Sequence, residues 1–294
     1  MDSLLEVLTE LSSSLTTHWS EYMPWFFFYC TLHVIFEYGF PFISPGIYDS
    51  LAKRDIRKAS EGGRKAAVPL DRVRLARQAR TSLTSVIMAI HVTSVSLYAL
   101  TLSKSMQEMG DTNLYNSIPL TRHLIAVSVG FFIWDLSIVL LDGMATEYII
   151  HAVACLIVFV AAQKPFLHSM SAVVLLFEAS TPFLKLREAL LGMDETEGFL
   201  FKINNLAFSL TFFIVRIVFG YYKCFWFFIQ INALVANGLA HSIPIARMYQ
   251  VLAGGLTILN TIWMWRIIKG AIRNEGASPR SSASSASASS SKIE

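Results

Sequence analysis

Charge is what this sequence has too little of. Asp, Glu, Lys and Arg make up 15% of its 294 residues, against about 25% in an ordinary soluble domain. Hydrophobic residues make up 54%, and mean hydropathy is +0.50. So few charges cannot cover a soluble globule, and much of the apolar content falls in runs too long for buried core helices. The shortage excludes a soluble enzyme and a nucleic-acid binder with a basic polar face. Cysteine is scarce too. Cys30, Cys155 and Cys224 lie in or beside apolar runs, which excludes a disulfide-stapled secreted module. No Asn-x-Ser/Thr sequon, metal-ligand motif, Gly-rich phosphate loop, nucleophile elbow or internal repeat occurs, so no metal or cofactor is expected. The chain reads as an all-α, polytopic membrane protein.

A spanning helix needs about 20 mostly apolar residues. Seven stretches qualify, at about 23–44, 83–102, 123–141, 147–163, 166–184, 206–222 and 250–271. The fourth is short and is joined to the fifth by Lys164 and Pro165, which favour a tight reversal; one broken or re-entrant element is the alternative. The transmembrane domain is therefore expected over 23–274, preceded by a non-cytoplasmic segment at 1–22. A disordered cytosolic Ser/Ala tract is expected at 275–294. The N-terminus lacks the basic region and cleavage site of a secretory signal. Its Leu4, Leu5, Leu8 and Leu11 instead form a stripe at helical spacing, consistent with an interfacial helix.

Lys and Arg accumulate in cytoplasmic loops. The first 22 residues have none, whereas ten lie between Asp49 and Ser82. Placing that loop inside puts 18 of the 24 basic residues on the cytoplasmic side, with the N-terminus outside and the C-terminus inside. Such a loop mainly sets topology, with anionic-lipid binding as an added role.

Polar residues within the spans carry the functional signal, because an ionisable group at mid-bilayer costs roughly 2.5–3.5 kcal/mol on insertion scales. These are His33 and Glu37, His91, Asp135, His151, Glu178 and Arg216, with Asn260 in the seventh span. In this orientation Glu37, Asp135, His151 and Glu178 share the cytoplasmic half, His33 and His91 lie nearer the middle, and Arg216 lies slightly beyond it. His33 and Glu37 are four apart on one face and can pair. Ser171, Glu178, Thr181 and Lys185 form a polar stripe. Pro182 removes the usual donor to the Glu178 carbonyl, so a kink is expected there. Arg216 is the expected counter-charge. The structural alternative is that these groups simply tie helices together. The run from Trp25 to Phe28 fits an interfacial belt and lipid-facing surface.

Three segments resemble the TLC-domain family (TRAM, Lag and related proteins), in its branch outside the ceramide synthases. They are Phe131-Phe132-Ile133-Trp134-Asp135, Ile149-Ile150-His151-Ala152-Val153-Ala154, and Leu175-Leu176-Phe177-Glu178-Ala179-Ser180-Thr181-Pro182-Phe183-Leu184. The resemblance covers about 75–272. It implies a bundle of about seven helices around a lipid-accessible cavity, usually in the endoplasmic reticulum. Ceramide synthases carry paired histidines where this chain has only His151, between Ile150 and Ala152, and a His-Asp pair where it has Glu178 and Ala179. N-acylation of sphingoid bases is therefore disfavoured.

The leading expectation is a protein that binds, senses or moves acyl lipids or sphingolipids and contributes to membrane lipid homeostasis. Its expected cavity residues are Glu37, His91, Asp135, His151, Glu178, Thr181, Pro182 and Arg216. The alternatives are an acyltransferase using His151 as base or nucleophile and an ion-coupled transporter whose acid and His groups relay protons. A seven-helix receptor is disfavoured, because Asp-Arg-Tyr after the third span and Asn-Pro-x-x-Tyr in the seventh are both missing. The charge asymmetry predicts a topology. In intact microsomes, added protease should digest a C-terminal tag and spare an N-terminal one; a protected C-terminal tag would reject the arrangement.

Overall fold

In hydrocarbon an unpaired backbone N–H or C=O is costly, and helices satisfy these groups within one segment. The computed structural model describes residues 2–43, 72–109, 114–141, 146–192 and 198–275, with isolated positions 143 and 196; among these no strand occurs. In chain order the elements are α1 (Asp2–Thr17), α2 (Trp19–Ile43), α3 (Arg72–Thr101), α4 (Lys104–Met109), α5 (Pro119–Leu141) and α6 (Thr146–Ala161). There follow α7 (His168–Leu175), a 3-10 turn (Leu176–Ser180), α8 (Thr181–Gly192), α9 (Phe199–Phe212), a π segment (Phe213–Phe219), α10 (Gly220–Ala236) and α11 (Ile243–Glu275).

Five helical stretches are long and apolar enough to cross a membrane: Ser82–Thr101, Pro119–Leu141, His168–Leu191, Phe199–Ala236 and Ile243–Gly270. Two of the seven expected spans are not among them. The stretch at 23–44 falls on α2, a helix of 25 residues whose Trp, Tyr, His and Glu side chains dilute its hydropathy. The stretch at 147–163 falls on α6, which has 16 residues, fewer than the roughly 20 a full crossing needs. Other extents differ as well. The sixth expected span is part of a continuous 38-residue helical stretch, about 57 Å long at 1.5 Å per residue. Helix α3 begins at Arg72, because 72–81 holds helix-forming residues without Gly or Pro. The first six basic residues of the loop, Lys53 to Lys65, and the Ser/Ala tail lie outside the described residues.

The chain reverses between α6 and α7 over 162–167. Leu167 adopts φ 60° and donates its N–H to the Leu114 carbonyl at 2.7 Å. His168 fixes the reversal, with Nε2 2.7 Å from the Ala162 carbonyl oxygen and Nδ1 3.4 Å from Thr121 Oγ1. The two helices then pack elsewhere, α6 against α5 and α1, and α7 against α3 and α5.

Helix α5 is the centre of the bundle, with residues from Leu124 to Phe132 buried without interruption. Lipid tails are as apolar as leucine, so close packing, and not apolar burial alone, must hold α5 to its neighbours. Gly130 allows this. A Cβ there would lie 2.6 Å from Trp25 Cβ, 2.7 Å from the Phe26 nitrogen and 2.7 Å from the Tyr22 carbonyl oxygen. The aromatic run of α2 is accordingly divided. Trp25 packs on His91 and His123, with ring centroids 5.6 and 5.3 Å away, while Phe27 and Phe28 are exposed.

Helix α1 attaches through one face, where Val7, Leu11 and Leu15 pack against the core beside polar contacts. Glu10 is buried 3.1 Å from His241 and 3.5 Å from Lys164, and Glu6 accepts a 2.6 Å hydrogen bond from Ser242. Leu4, Leu5 and Leu8 remain exposed on the other side.

The α2–α5 contact generates a stability prediction. Gly130→Ala must push backbone apart from backbone and should lower stability by about 1–3 kcal/mol. Gly255→Ala, whose Cβ meets nothing within 4 Å, should cause no loss. Thermal unfolding of the detergent-purified variants checks both; equal midpoints for Gly130→Ala and the parent would refute the close-contact account.

Candidate functional site

The polar site is built on two irregular turns. Pro182 has no N–H for the Glu178 carbonyl, and α7 tightens into the 3-10 turn just before it. Thr181 N–H donates to the Glu178 carbonyl. In a regular α-helix it would have donated to Phe177. The Phe177 carbonyl instead accepts from Arg216 Nε at 3.1 Å and from Ser180 Oγ at 3.3 Å. A backbone group released by one proline therefore holds a cation from another helix.

Arg216 comes from the π segment, a rare geometry that concentrates at functional positions. The side chain is buried. Its Nη1 donates to Asn260 Oδ1 on α11 at 3.4 Å, and its Nη2 lies 3.8 Å from Glu178 Oε1, an ion pair beyond hydrogen-bond distance. The guanidinium also lies over the rings of Phe212 and Trp263, 5.2 and 5.8 Å from their centroids. The other Glu178 oxygen accepts a 2.6 Å hydrogen bond from Thr181 Oγ1. Gly220, just after the π segment, permits this approach: a Cβ there would lie 3.0 Å from Phe177 Cζ.

Asp135 and His151 lie beside this core without hydrogen-bonding to it. The charge of Glu178 acts on Asp135, His151 and Cys155, that of Arg216 on His151 and Cys155, and that of Lys185 on Asp135. Lys185 itself is paired with Glu188 at 3.0 Å. Asp135 has no hydrogen bond or ion pair among the described residues. His151 packs on Phe132 and lies 3.8 and 3.9 Å, by its two ring nitrogens, from Cys155 Sγ. Near-equal distances place the sulfur away from the line of either nitrogen lone pair. The pair therefore lacks the aligned contact of an activated thiol, and among the described residues no carboxylate hydrogen-bonds to the imidazole.

The remaining expected residues lie in two other clusters. His91 Nε2 is 3.0 Å from His123 Nε2, beside Trp25. Glu37 pairs with His33 at 3.3 Å, and the His33 ring packs on Trp134 at 5.7 Å. The sequence pattern alone does not mark His123, Cys155 and His168 as site residues. His123 stands at a span boundary, Cys155 reads as an apolar residue, and His168 becomes legible only once the reversal at Pro165 is known.

A groove of about 310 Å³ runs beside the irregular turn. Its walls are Ala89, Ile90, Thr93 and Ser94 of α3, with Ala179, Pro182 and Phe183 opposite. Both walls belong to membrane-spanning stretches. Thr93 Oγ1 is buried there without a hydrogen-bond partner.

A family model, that of the TLC domain of the TRAM, LAG1 and CLN8 proteins, matches residues 78–269. No curated protein matches the chain significantly. The matched region contains every residue of the Glu178–Arg216 site.

The site ranks two substitutions by stability. Glu178→Ala breaks a largely buried ion pair and should cost about 3 kcal/mol, the lower end for such a loss, because Arg216 keeps Phe177 and Asn260. His151→Ala removes no hydrogen bond to another helix and should cost under about 1 kcal/mol. Unfolding midpoints in detergent test the order; an equal or larger loss for His151→Ala would contradict it.

Proposed function

The chain belongs to the TLC-domain family, and we propose that it binds, senses or moves acyl lipids within the bilayer and so contributes to membrane lipid homeostasis. One observation carries this reading. Glu178, Thr181 and Arg216 form a polar site inside membrane-spanning stretches, beside a groove that runs past Ala179, Pro182 and Phe183. The groove suits an apolar chain, and the neighbouring charges suit the polar end of the same molecule. Asp135 and His151 complete the polar end. In this reading α2 and α6 complete a seven-helix bundle, and the protein resides in the endoplasmic reticulum with its N-terminus lumenal and C-terminus cytosolic. His91 is paired with His123 and ties α3 to α5, while Glu37 is paired with His33 within α2.

Acyl transfer is the second reading, favoured by one observation: His151 lies within reach of the charges of Glu178 and Arg216. It lacks a positioned nucleophile, since the Cys155 sulfur is aligned with neither ring nitrogen. Ion-coupled transport remains a third.

Native mass spectrometry of the purified protein separates these readings. Lipid binding predicts copurifying lipid that is retained in His151→Ala and depleted in Glu178→Ala. Acyl transfer predicts movement of a labelled acyl group from acyl-CoA to a lipid acceptor, abolished by His151→Ala with lipid occupancy intact. Absence of copurified lipid from the parent, with added lipids also failing to bind, would reject the leading reading.

A further inference from the structure

We infer that the N-terminal half of α1 is a lipid-surface contact that reads how tightly the adjoining leaflet is packed, and not its charge. The inference concerns a different part of the molecule from the Glu178–Arg216 site and does not depend on what that site holds.

Two anchors set where α1 lies. Glu10 is held by His241 and by Lys164, in the reversal just before the span His168–Leu191. Glu6 is held by Ser242, just before the span Ile243–Gly270. Both anchors stand at the starts of membrane-spanning stretches, so α1 lies at the membrane boundary. Its 16 residues cover about 24 Å at 1.5 Å each, too short a helix to cross the hydrocarbon. Leu239 and Ile243, which flank the turn that α1 holds, are exposed, as is Trp19 just after the helix. A tryptophan at such a boundary suits the headgroup level.

The part of α1 left open has a definite chemistry. Val7, Leu11 and Leu15 pack on the bundle, whereas Leu4, Leu5 and Leu8 are 64%, 65% and 54% exposed. Thr9, Ser12, Ser13, Thr16 and Thr17 are exposed beside them at helical spacing. From Ser3 onward the only charged residues of α1 are Glu6 and Glu10, and both are bonded to the protein. The first 22 residues contain no Lys or Arg. An interfacial helix binds through buried apolar area and through attraction of its cations to anionic lipid. Helix α1 lacks the second means. Its leucines can enter only where headgroups part, and its hydroxyl face supplies no charge to hold it on a closed surface. Leucines on one side and uncharged hydroxyls on the other are the pattern of a lipid-packing sensor.

The test is hydrogen–deuterium exchange of the full-length, unsubstituted protein in three kinds of vesicle. These are dioleoyl phosphatidylcholine, the same lipid with cholesterol, which closes packing defects, and the same lipid partly replaced by dioleoyl phosphatidylserine. The amides of Glu6 to Thr9 should exchange at least about tenfold more slowly in the first than in the second, because withdrawing even one leucine from lipid costs about that factor or more. Phosphatidylserine should change nothing. The amides of Leu11 to Thr17, in the half packed on the bundle, should exchange alike in all three. Leu8→Ser should remove most of the difference at Glu6 to Thr9. Four results overturn the inference: equal exchange with and without cholesterol, slowing that grows with phosphatidylserine, a change shared equally by Leu11 to Thr17, or slowing that is lost when the protein is diluted in lipid. The last would assign the open leucines to a second copy of the chain. The comparison among vesicles needs no variant, so misfolding of Leu8→Ser cannot hide the answer.

Discussion

The missing N–H of Pro182 is the constraint on which the polar site depends. In water, a carbonyl deprived of its helical donor is repaired by solvent; within a membrane-spanning stretch, protein must repair it. Here the repair shifts by one residue. Thr181 turns to Glu178, Phe177 is released, and Arg216 takes the released carbonyl. The 3-10 turn and the π segment are thus two halves of one adjustment, one tightened and the other widened. Gly220 gives the room that lets them meet. The Phe177 carbonyl, freed of its helical donor, accepts from Arg216 and from Ser180 together.

The bundle around the site obeys a second rule: apolar surface does not select a partner among apolar lipids. Contact is specified where backbones come close or polar groups find one another. Gly130 brings α5 against α2, the His91–His123 pair joins α3 to α5, and Glu10 joins α1 to the chain near His241 and Lys164. The first two contacts hold α5, whereas α11 lies at the periphery, where few residues are buried. The aromatic run of α2 shows the same principle at single residues. Trp25 turns inward because His91 and His123 give its ring polar edges to pack on, whereas Phe27 and Phe28 are left facing outward.

What the sequence made legible follows from range. The helical class came from composition. The break at Glu178 was readable because it depends on a proline four residues away, and the His33–Glu37 pair because it depends on one turn of one helix. The TLC resemblance lay in local runs and agrees with the family match over 78–269. Arg216 could be named as a counter-charge, but its partners on the 3-10 turn and α11 could not be chosen by spacing. The His91–His123 pair escaped for the same reason, being set by the crossing of two helices. Helix ends were poorly legible because helix-forming residues continue past the apolar runs, as at 72–81. Of the 38-residue stretch Phe199–Ala236, the span expected from the apolar pattern covers less than half.

The arrangement of donors distinguishes holding a molecule from transforming it. Catalysis by nucleophile and base requires a directed hydrogen bond from one to the other and a third group that fixes the base. In this site, Thr181 and Arg216 direct their hydrogen bonds into the fold, and His151 receives only the field of the nearby charges. Polar capacity not spent on the fold remains at Asp135 and at Thr93 in the groove wall. The hydrogen bonds of Arg216 and Thr181 are thus directed at Phe177, Asn260 and Glu178, which joins separate elements of the fold and aims none of them at a reacting atom.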